Sequence, residues 1–122
     1  YRRAMDQHDR FLEPRLLAFA TAVCTAARRL PADPVATNIA CQLAKSASSP
    51  LANYSEARSA SSPRDYANKL NHCTRELRET RNWLRLAAGC GYQIGDYEKL
   101  LAECDELIAI TVTCALKARR KR

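Results

Sequence analysis

Apolar residues recur at every third or fourth position in four separate segments of the chain. This spacing places them on one face of an α-helix in each segment, opposite a polar face. The breaks between segments are short and rich in Pro, Ser or Gly. The pattern predicts four helices, near residues 12–30, 34–58, 63–88 and 96–119. Because short turns join antiparallel neighbours, the expected fold class is all-α, an antiparallel up-down-up-down four-helix bundle.

The third segment has the most regular apolar seam. Its steps alternate between four and three residues, the spacing of helices that pack at shallow angles. We therefore expect Trp83 or Leu84 to contribute to the core from this helix. The seam consists of Tyr66, Leu70, Cys73, Leu77, Thr80, Leu84 and Ala87. The seams of the other segments are Leu12, Leu16, Phe19, Val23, Ala26 and Leu30, then Val35, Ile39, Leu43, Ala47, Leu51 and Tyr54, and finally Tyr97, Leu100, Cys104, Leu107, Thr111, Cys114 and Ala118.

Residues that favour helix starts precede the last three segments. Asp33 and Ser62 each stand directly before a proline, so each can cap a helix whose first residue is that proline. Asp65 follows Ser62 by three residues and can reach back to complete a capping box. Asp96 can cap the fourth segment. These signals predict sharp starts for the second, third and fourth helices.

Glycine and proline mark the remaining boundaries and one irregularity. Gly89 and Gly91 are expected to end the third helix. Pro14 suits the first turn of the first helix, where its missing N–H costs nothing. Pro50 lies within the second apolar stripe, so we expect a kink there.

The chain has the length of one ordinary domain, 122 residues. We assign residues 1–11 to an N-terminal extension or tag remnant, and residues 12–122 to the bundle with a basic C-terminal tail. No apolar run approaches the length of a membrane span, and the charged N-terminus does not resemble a secretory signal. The expectation is therefore a cytoplasmic protein. The six cysteines lack paired spacing, which favours free thiols on the apolar stripes.

The formal net charge of +7 favours polyanionic partners. One candidate phosphate-binding set is a row of arginines on the third helix, whose spacing aligns them roughly on one face. A second is the basic end of the fourth helix. The candidate nucleic-acid-binding residues are Arg75, Arg78, Arg81, Arg85, Lys117, Arg119 and Arg120. The alternative for the row is a solvated face paired with Glu76 and Glu79, or an interface with the acidic start of the fourth helix of another subunit.

Two stretches of the second segment, residues 41–49 and 52–57, carry a family resemblance. They contain a glutamine, then a basic residue and serines, then an Asn-x-x-Glu element at Asn53 and Glu56. This pattern resembles the four-helix-bundle proteins encoded in intervening sequences of bacterial large-subunit rRNA genes. The similarity continues through residues 62–66, 77–84 and 91–92, and covers roughly residues 12–118. Pro50 stands one position earlier relative to Asn53 than in the family, and Ala57 replaces the customary glycine.

The resemblance implies an oligomeric ring, commonly a homopentamer, of a kind often described as ribosomal. It also implies a relation to the accessory protein of diversity-generating retroelements, a basic ring that works with a reverse transcriptase and RNA. Its motif residues here are Ser46, Asn53 and Glu56. Asn53 and Glu56 can contact a partner or an RNA backbone. The alternative is that Asn53 satisfies polar groups beside Pro50 while Glu56 pairs with a neighbouring Arg.

No convergent set of acid, base and nucleophile is evident, and no Gly-rich phosphate loop is present. The two histidines lack the Glu-x-x-His spacing of di-iron bundles. We therefore expect no enzyme activity, no cofactor and no small-molecule substrate. The predicted function is a non-catalytic, ring-forming bundle that binds RNA or other nucleic acid through basic surfaces. The alternative is a protein-interaction scaffold or an accessory subunit for a partner such as a reverse transcriptase.

Self-assembly is also indicated by apolar residues in excess of one stripe per helix. A lone bundle would expose some of them to water, which a subunit interface would relieve. These surplus residues are Leu17, Ile94, Leu101, Ile110 and Leu116.

Overall fold

The structure, a computed structural model, describes the backbone of residues 2–120 and the side chains of residues 11–120. It contains α1 (Arg2–Arg28), α2 (Pro34–Ala57), α3 (Pro63–Gly89) and α4 (Tyr97–Arg120), and no strand within the described residues. Consecutive helices pack against each other. The first helix also packs against α4, but less extensively than the consecutive helices do. The predicted all-α four-helix bundle is confirmed. None of the described helices is long and apolar enough to cross a membrane.

The core is built from the predicted seams. All seven seam residues of α3 are buried, and Leu84 is fully enclosed while Trp83 is half-buried. The prediction that Val35 belongs to the seam of α2 is wrong, because Val35 is 53% exposed and Ala36 faces the core in its place. Adjacent residues differ by about 100° around a helix, so only one of the two can face the core. Ile94, predicted to be surplus, is buried.

The predicted caps of the last three helices are present. Asp33 Oδ1 accepts a hydrogen bond from the Ala36 N–H at 2.8 Å, and Ser62 Oγ accepts one from the Asp65 N–H at 3.1 Å. Asp96 Oδ1 accepts from the N–H of the third residue beyond it at 3.4 Å. The Asp65 carboxylate reaches back to the Ser61 N–H at 3.2 Å. Such caps satisfy helix-end N–H groups that would otherwise lack partners.

The first helix begins ten residues earlier than predicted. Pro14 therefore lies inside α1 and not in its first turn. The ten residues before Phe11 include no glycine or proline, so the chain can stay helical at the cost of the one hydrogen bond that Pro14 cannot donate. Tyr1, Lys121 and Arg122 lie outside the described residues.

The α3–α4 connection is hydrogen-bonded to the start of α2. Gly91, with φ of +87°, follows the end of α3, and the Tyr92 N–H donates to the Ala87 carbonyl at 3.1 Å, as in a Schellman motif. The Tyr92 hydroxyl then donates to the Asp33 carboxylate, with contacts of 2.8 and 3.0 Å to its two oxygens. This contact joins the loop after α3 to the start of α2.

Candidate nucleic-acid interface

The outward face of α3 carries a continuous stripe of arginine and asparagine. Its seven positions alternate by steps of four and three residues, so they share one side of the helix. Six of the side chains are exposed and Asn71 is half-buried. With a rise of 1.5 Å per residue, the stripe is about 30 Å long. We call it the α3 stripe, and its members are Arg64, Asn68, Asn71, Arg75, Arg78, Asn82 and Arg85.

Arg81 lies outside the α3 stripe although it belongs to the arginine row identified from the sequence. Its Nε donates to Asp105 Oδ1 on α4 at 2.7 Å. The structure therefore separates Arg81, which links α3 to α4, from Arg75, Arg78 and Arg85, which face solvent.

Four members of the α3 stripe were absent from the sequence prediction, namely Arg64 and the three asparagines. The signal that finds them is the same heptad spacing that identified the apolar seam, applied to the polar face. A row defined by arginines alone omits the neutral amides. It also omits Arg64, which is separated from Arg75 by Asn68 and Asn71. The complete stripe contains no acidic residue.

The arginines of the α3 stripe are electrostatically uncompensated. Within the described part of the chain, no ion pair involves Arg64, Arg75, Arg78 or Arg85. Three arginines elsewhere are paired: Arg15 binds Glu103, and the guanidinium groups of Arg58 and Arg81 each contact a carboxylate on another helix. The expected alternative, pairing of the row with Glu76 and Glu79, is therefore not observed among the described residues. Four exposed guanidinium groups remain available for external anions.

A groove of about 520 Å³ runs beside the middle of the α3 stripe, between α3 and α4. It brings Arg119 of α4 next to Arg75 and Arg78, which are more than 40 positions away in sequence. Lys117 and Arg120 are also exposed on the last turns of α4 but do not line the groove. The lining residues are Asn71, Thr74, Arg75, Arg78, Val112, Ala115, Leu116 and Arg119.

Comparison with known proteins places the chain in a family. Residues 15–113 match the family model described as 23S rRNA-intervening sequence protein. The chain belongs to this family. A crystal structure of a protein of unknown function from the S23 ribosomal protein family of Bacteroides thetaiotaomicron has a TM-score of 0.78 and 27% identity, and the match covers 85% of this chain and 97% of that one. No curated protein matches. The family resemblance predicted from the α2 motif is confirmed.

The three motif residues of this intervening-sequence protein support the packing of α2. Ser46 is buried, and its hydroxyl accepts a hydrogen bond from Thr80 Oγ1 at 2.8 Å. The Asn53 amide donates to Ser49 Oγ at 3.1 Å, one turn back along the helix. Glu56 is exposed and lies 3.7 Å from the ammonium group of a residue on α3, Lys69, so its neighbour is a lysine and not an arginine. Ser46 is buried and therefore does not share an exposed surface with Glu56.

The thiols of this family member divide into buried and exposed groups. Cys73, Cys104 and Cys114 are buried on the predicted seams, Cys24 is half-buried, and Cys41 and Cys90 are exposed. Burial raises the pKa of Cys73 and of Cys104 to about 12, which keeps both as unreactive thiols. In the described part of the chain, His, Cys, Asp and Glu side chains form no cluster that could hold a metal ion.

Proposed function

We propose that this intervening-sequence protein is a non-catalytic RNA-binding protein that holds the nucleic-acid backbone along the α3 stripe. The observation that carries the proposal is the row of four exposed arginines, which make no ion pair with a described residue, interleaved with asparagines over about 30 Å of one helix face. Guanidinium groups bind phosphate oxygens in two-point contacts, and asparagine amides can bind phosphate, sugar or base edges. Repulsion within such a face is relieved when it meets a polyanion.

The composition of the stripe favours RNA over a protein partner. Protein interfaces are centred on aromatic and aliphatic anchors, with polar groups at the rim. The α3 stripe has the reverse character, because polar donors occupy its whole length. The name of the family refers to intervening sequences of 23S rRNA, and this supports RNA as the nucleic acid.

Self-assembly is the second part of the proposal. Leu17 and Leu116 are about half exposed, as expected of surplus apolar residues, while Leu101 and Ile110 are half-buried. Phe11 is 69% exposed and adds to the uncovered apolar surface. A groove of about 740 Å³ lies between α1 and α4, which pack against each other less extensively than the other neighbouring helices do. Packing of further copies against this side would give a ring, a homopentamer by the family resemblance, with several α3 stripes on one assembly.

Two matched variants test the RNA-binding surface. The stripe variant replaces Arg64, Arg75, Arg78 and Arg85 with Gln. The control variant replaces four exposed cations on other faces, and these are Arg28, Arg29, Lys45 and Lys99. Because Arg29 and Lys99 line the groove between α1 and α4, light scattering must give this variant the same mass as the parent. Each variant loses four positive charges, so the formal net charge falls from +7 to +3 in both. Any difference between them then reports position and not overall charge.

The measurement is the affinity for a fluorescently labelled structured RNA at physiological salt. We expect the stripe variant to bind about tenfold or more weakly, and the control variant to stay within about threefold of the parent. Circular dichroism and thermal unfolding verify that both variants are folded. Equal losses in the two variants would mean that binding follows net charge and not the α3 stripe. If the parent itself shows no RNA affinity and binds an acidic protein such as a reverse transcriptase, the accessory-subunit alternative replaces the proposal.

A further inference from the structure

The groove between α3 and α4 combines an apolar floor with cationic walls. Val112, Ala115 and Leu116 supply aliphatic surface from α4. Arg75 and Arg78 line the opposite side, and they are also members of the α3 stripe. The volume of about 520 Å³ lies within the range of small-molecule sites.

The lining chemistry matches a nucleobase better than a phosphate alone. A base has flat apolar faces, which pack on aliphatic side chains and on guanidinium planes, and a polar edge that takes hydrogen bonds. Leu116 is 52% exposed, so a base that covers it removes apolar surface from water. The half-buried Asn71 at the groove offers both a donor and an acceptor for the base edge. Arg119 adds a third guanidinium group beside the site.

We propose that this groove binds one unstacked nucleobase of a strand whose phosphates lie along the α3 stripe. This inference rests on the proposed RNA-binding function and adds to it a class of substrate. The bases of a duplex are stacked and paired inside the helix, so they cannot enter the groove without melting. The protein therefore selects single-stranded RNA, or the loops and ends of structured RNA, over continuous duplex.

Three RNA probes of one length separate base binding from backbone binding. They are a single strand of mixed sequence, the same strand paired with its complement, and the same strand with abasic sites throughout its centre. A base face that covers aliphatic side chains and stacks on a guanidinium plane should change affinity about fivefold or more. We therefore expect the intact single strand to bind about fivefold or more tightly than either the duplex or the abasic strand.

A matched pair of leucine variants connects that preference to the groove. Leu116→Ser removes part of the apolar floor of the groove. Leu17→Ser changes a leucine of similar exposure on α1, a helix that does not contact α3. Both residues are exposed, so both variants should fold, and thermal unfolding checks this. We expect Leu116→Ser to lose most of the preference for the intact single strand while its duplex affinity is unchanged. Leu17→Ser should retain the preference.

The outcomes distinguish this inference from the proposed function. Equal binding of all three probes, with the loss on the stripe variant preserved, would overturn the base site and leave RNA binding by the α3 stripe intact. An equal effect of Leu116→Ser and Leu17→Ser would also overturn the base site. Failure of every probe to bind the parent protein would overturn the RNA-binding function, and the base site with it.

Discussion

The Asp33 carboxylate accepts hydrogen bonds from two parts of the fold. The Ala36 N–H donates to it at the start of α2, and the Tyr92 hydroxyl donates to it from the loop after α3. The backbone contact from Ala36, followed by the Tyr92 contact, lowers the pKa of Asp33 below its ordinary value. A carboxylate whose folded-state pKa is lowered stabilises the fold above its unfolded-state pKa, and that contribution is lost as the pH falls through the folded-state value.

The Tyr92→Phe variant should therefore show a weaker acid dependence of stability. Removal of the hydroxyl takes away one donor, so the pKa of Asp33 moves back towards its unfolded value. We expect the free energy of unfolding of the parent to fall as the pH drops below about 4, and this fall to be smaller in Tyr92→Phe. Urea unfolding across this pH range measures the effect. Tyr97→Phe is the control, and identical pH profiles for parent and Tyr92→Phe would show that the contact does not contribute.

Cysteine reactivity should divide according to burial. Cys73 Sγ donates to the Pro50 carbonyl at 3.3 Å and Cys104 Sγ to the Leu77 carbonyl at 3.2 Å, and both pKa values are raised to about 12 by burial. A disulfide reagent added to the native protein at neutral pH should label Cys41 and Cys90 quickly, because both are exposed, and the half-buried Cys24 more slowly. The buried thiols should react only with unfolding. Replacement of Cys41 and Cys90 by Ser should abolish the fast phase, and a single phase for all thiols would contradict this division.

At the level of the helices, the boundaries of α2, α3 and α4 followed from the sequence because their signals are local. Ser62 and the proline after it fix a start whatever packs nearby. The start of α1 did not follow, because Pro14 is tolerated both in a first turn and inside a helix, and only the neighbouring residues decide between these positions. The spacing of apolar residues did not predict that Val35 is exposed. In the first turn of α2, the direction in which the chain enters the helix decides which residue faces the core.

The end of α3 gives a paired prediction on backbone conformation. Gly91 has φ of +87° and open space around its Cβ position, so Gly91→Ala adds only backbone strain. We expect a loss of about 1–2 kcal/mol in the free energy of unfolding. Gly89 has the ordinary helical conformation and equally open space. Gly89→Ala should raise stability by up to about 1 kcal/mol, because alanine is the better helix former. Urea denaturation of both variants provides the measurement, and equal effects would contradict the assigned turn.

For the whole molecule, the candidate site followed only in part from the sequence. Arg75, Arg78 and Arg85 were identified because their spacing along one helix is visible in the sequence. Arg119 was identified only as part of a basic end, since its place beside Arg75 depends on how α3 and α4 pack. No sequence pattern within one helix shows which residues of α3 and α4 lie side by side.

The proposed assembly can be tested on the groove between α1 and α4. Light scattering at micromolar concentration should give about five times the mass of one chain if the ring forms. Ala22 is exposed and lines the groove, so Ala22→Glu should bring the mass down to that of one chain by placing a charge in the interface. Ala52 is exposed on α2, and Ala52→Glu should leave the mass unchanged. A parent protein that scatters as one chain would remove the assembly from the account.

The salt dependence of RNA affinity tests the central claim most directly. Each phosphate neutralised on a single strand contributes about −0.7 to the slope of log affinity against log salt. With four arginines on the α3 stripe and Arg119 beside them, we expect a slope of about −3.5 for the parent and its control variant. The stripe variant should lose about 2.8 of that slope. A slope near zero for the parent, or equal slopes for the stripe and control variants, would contradict binding of RNA by the α3 stripe.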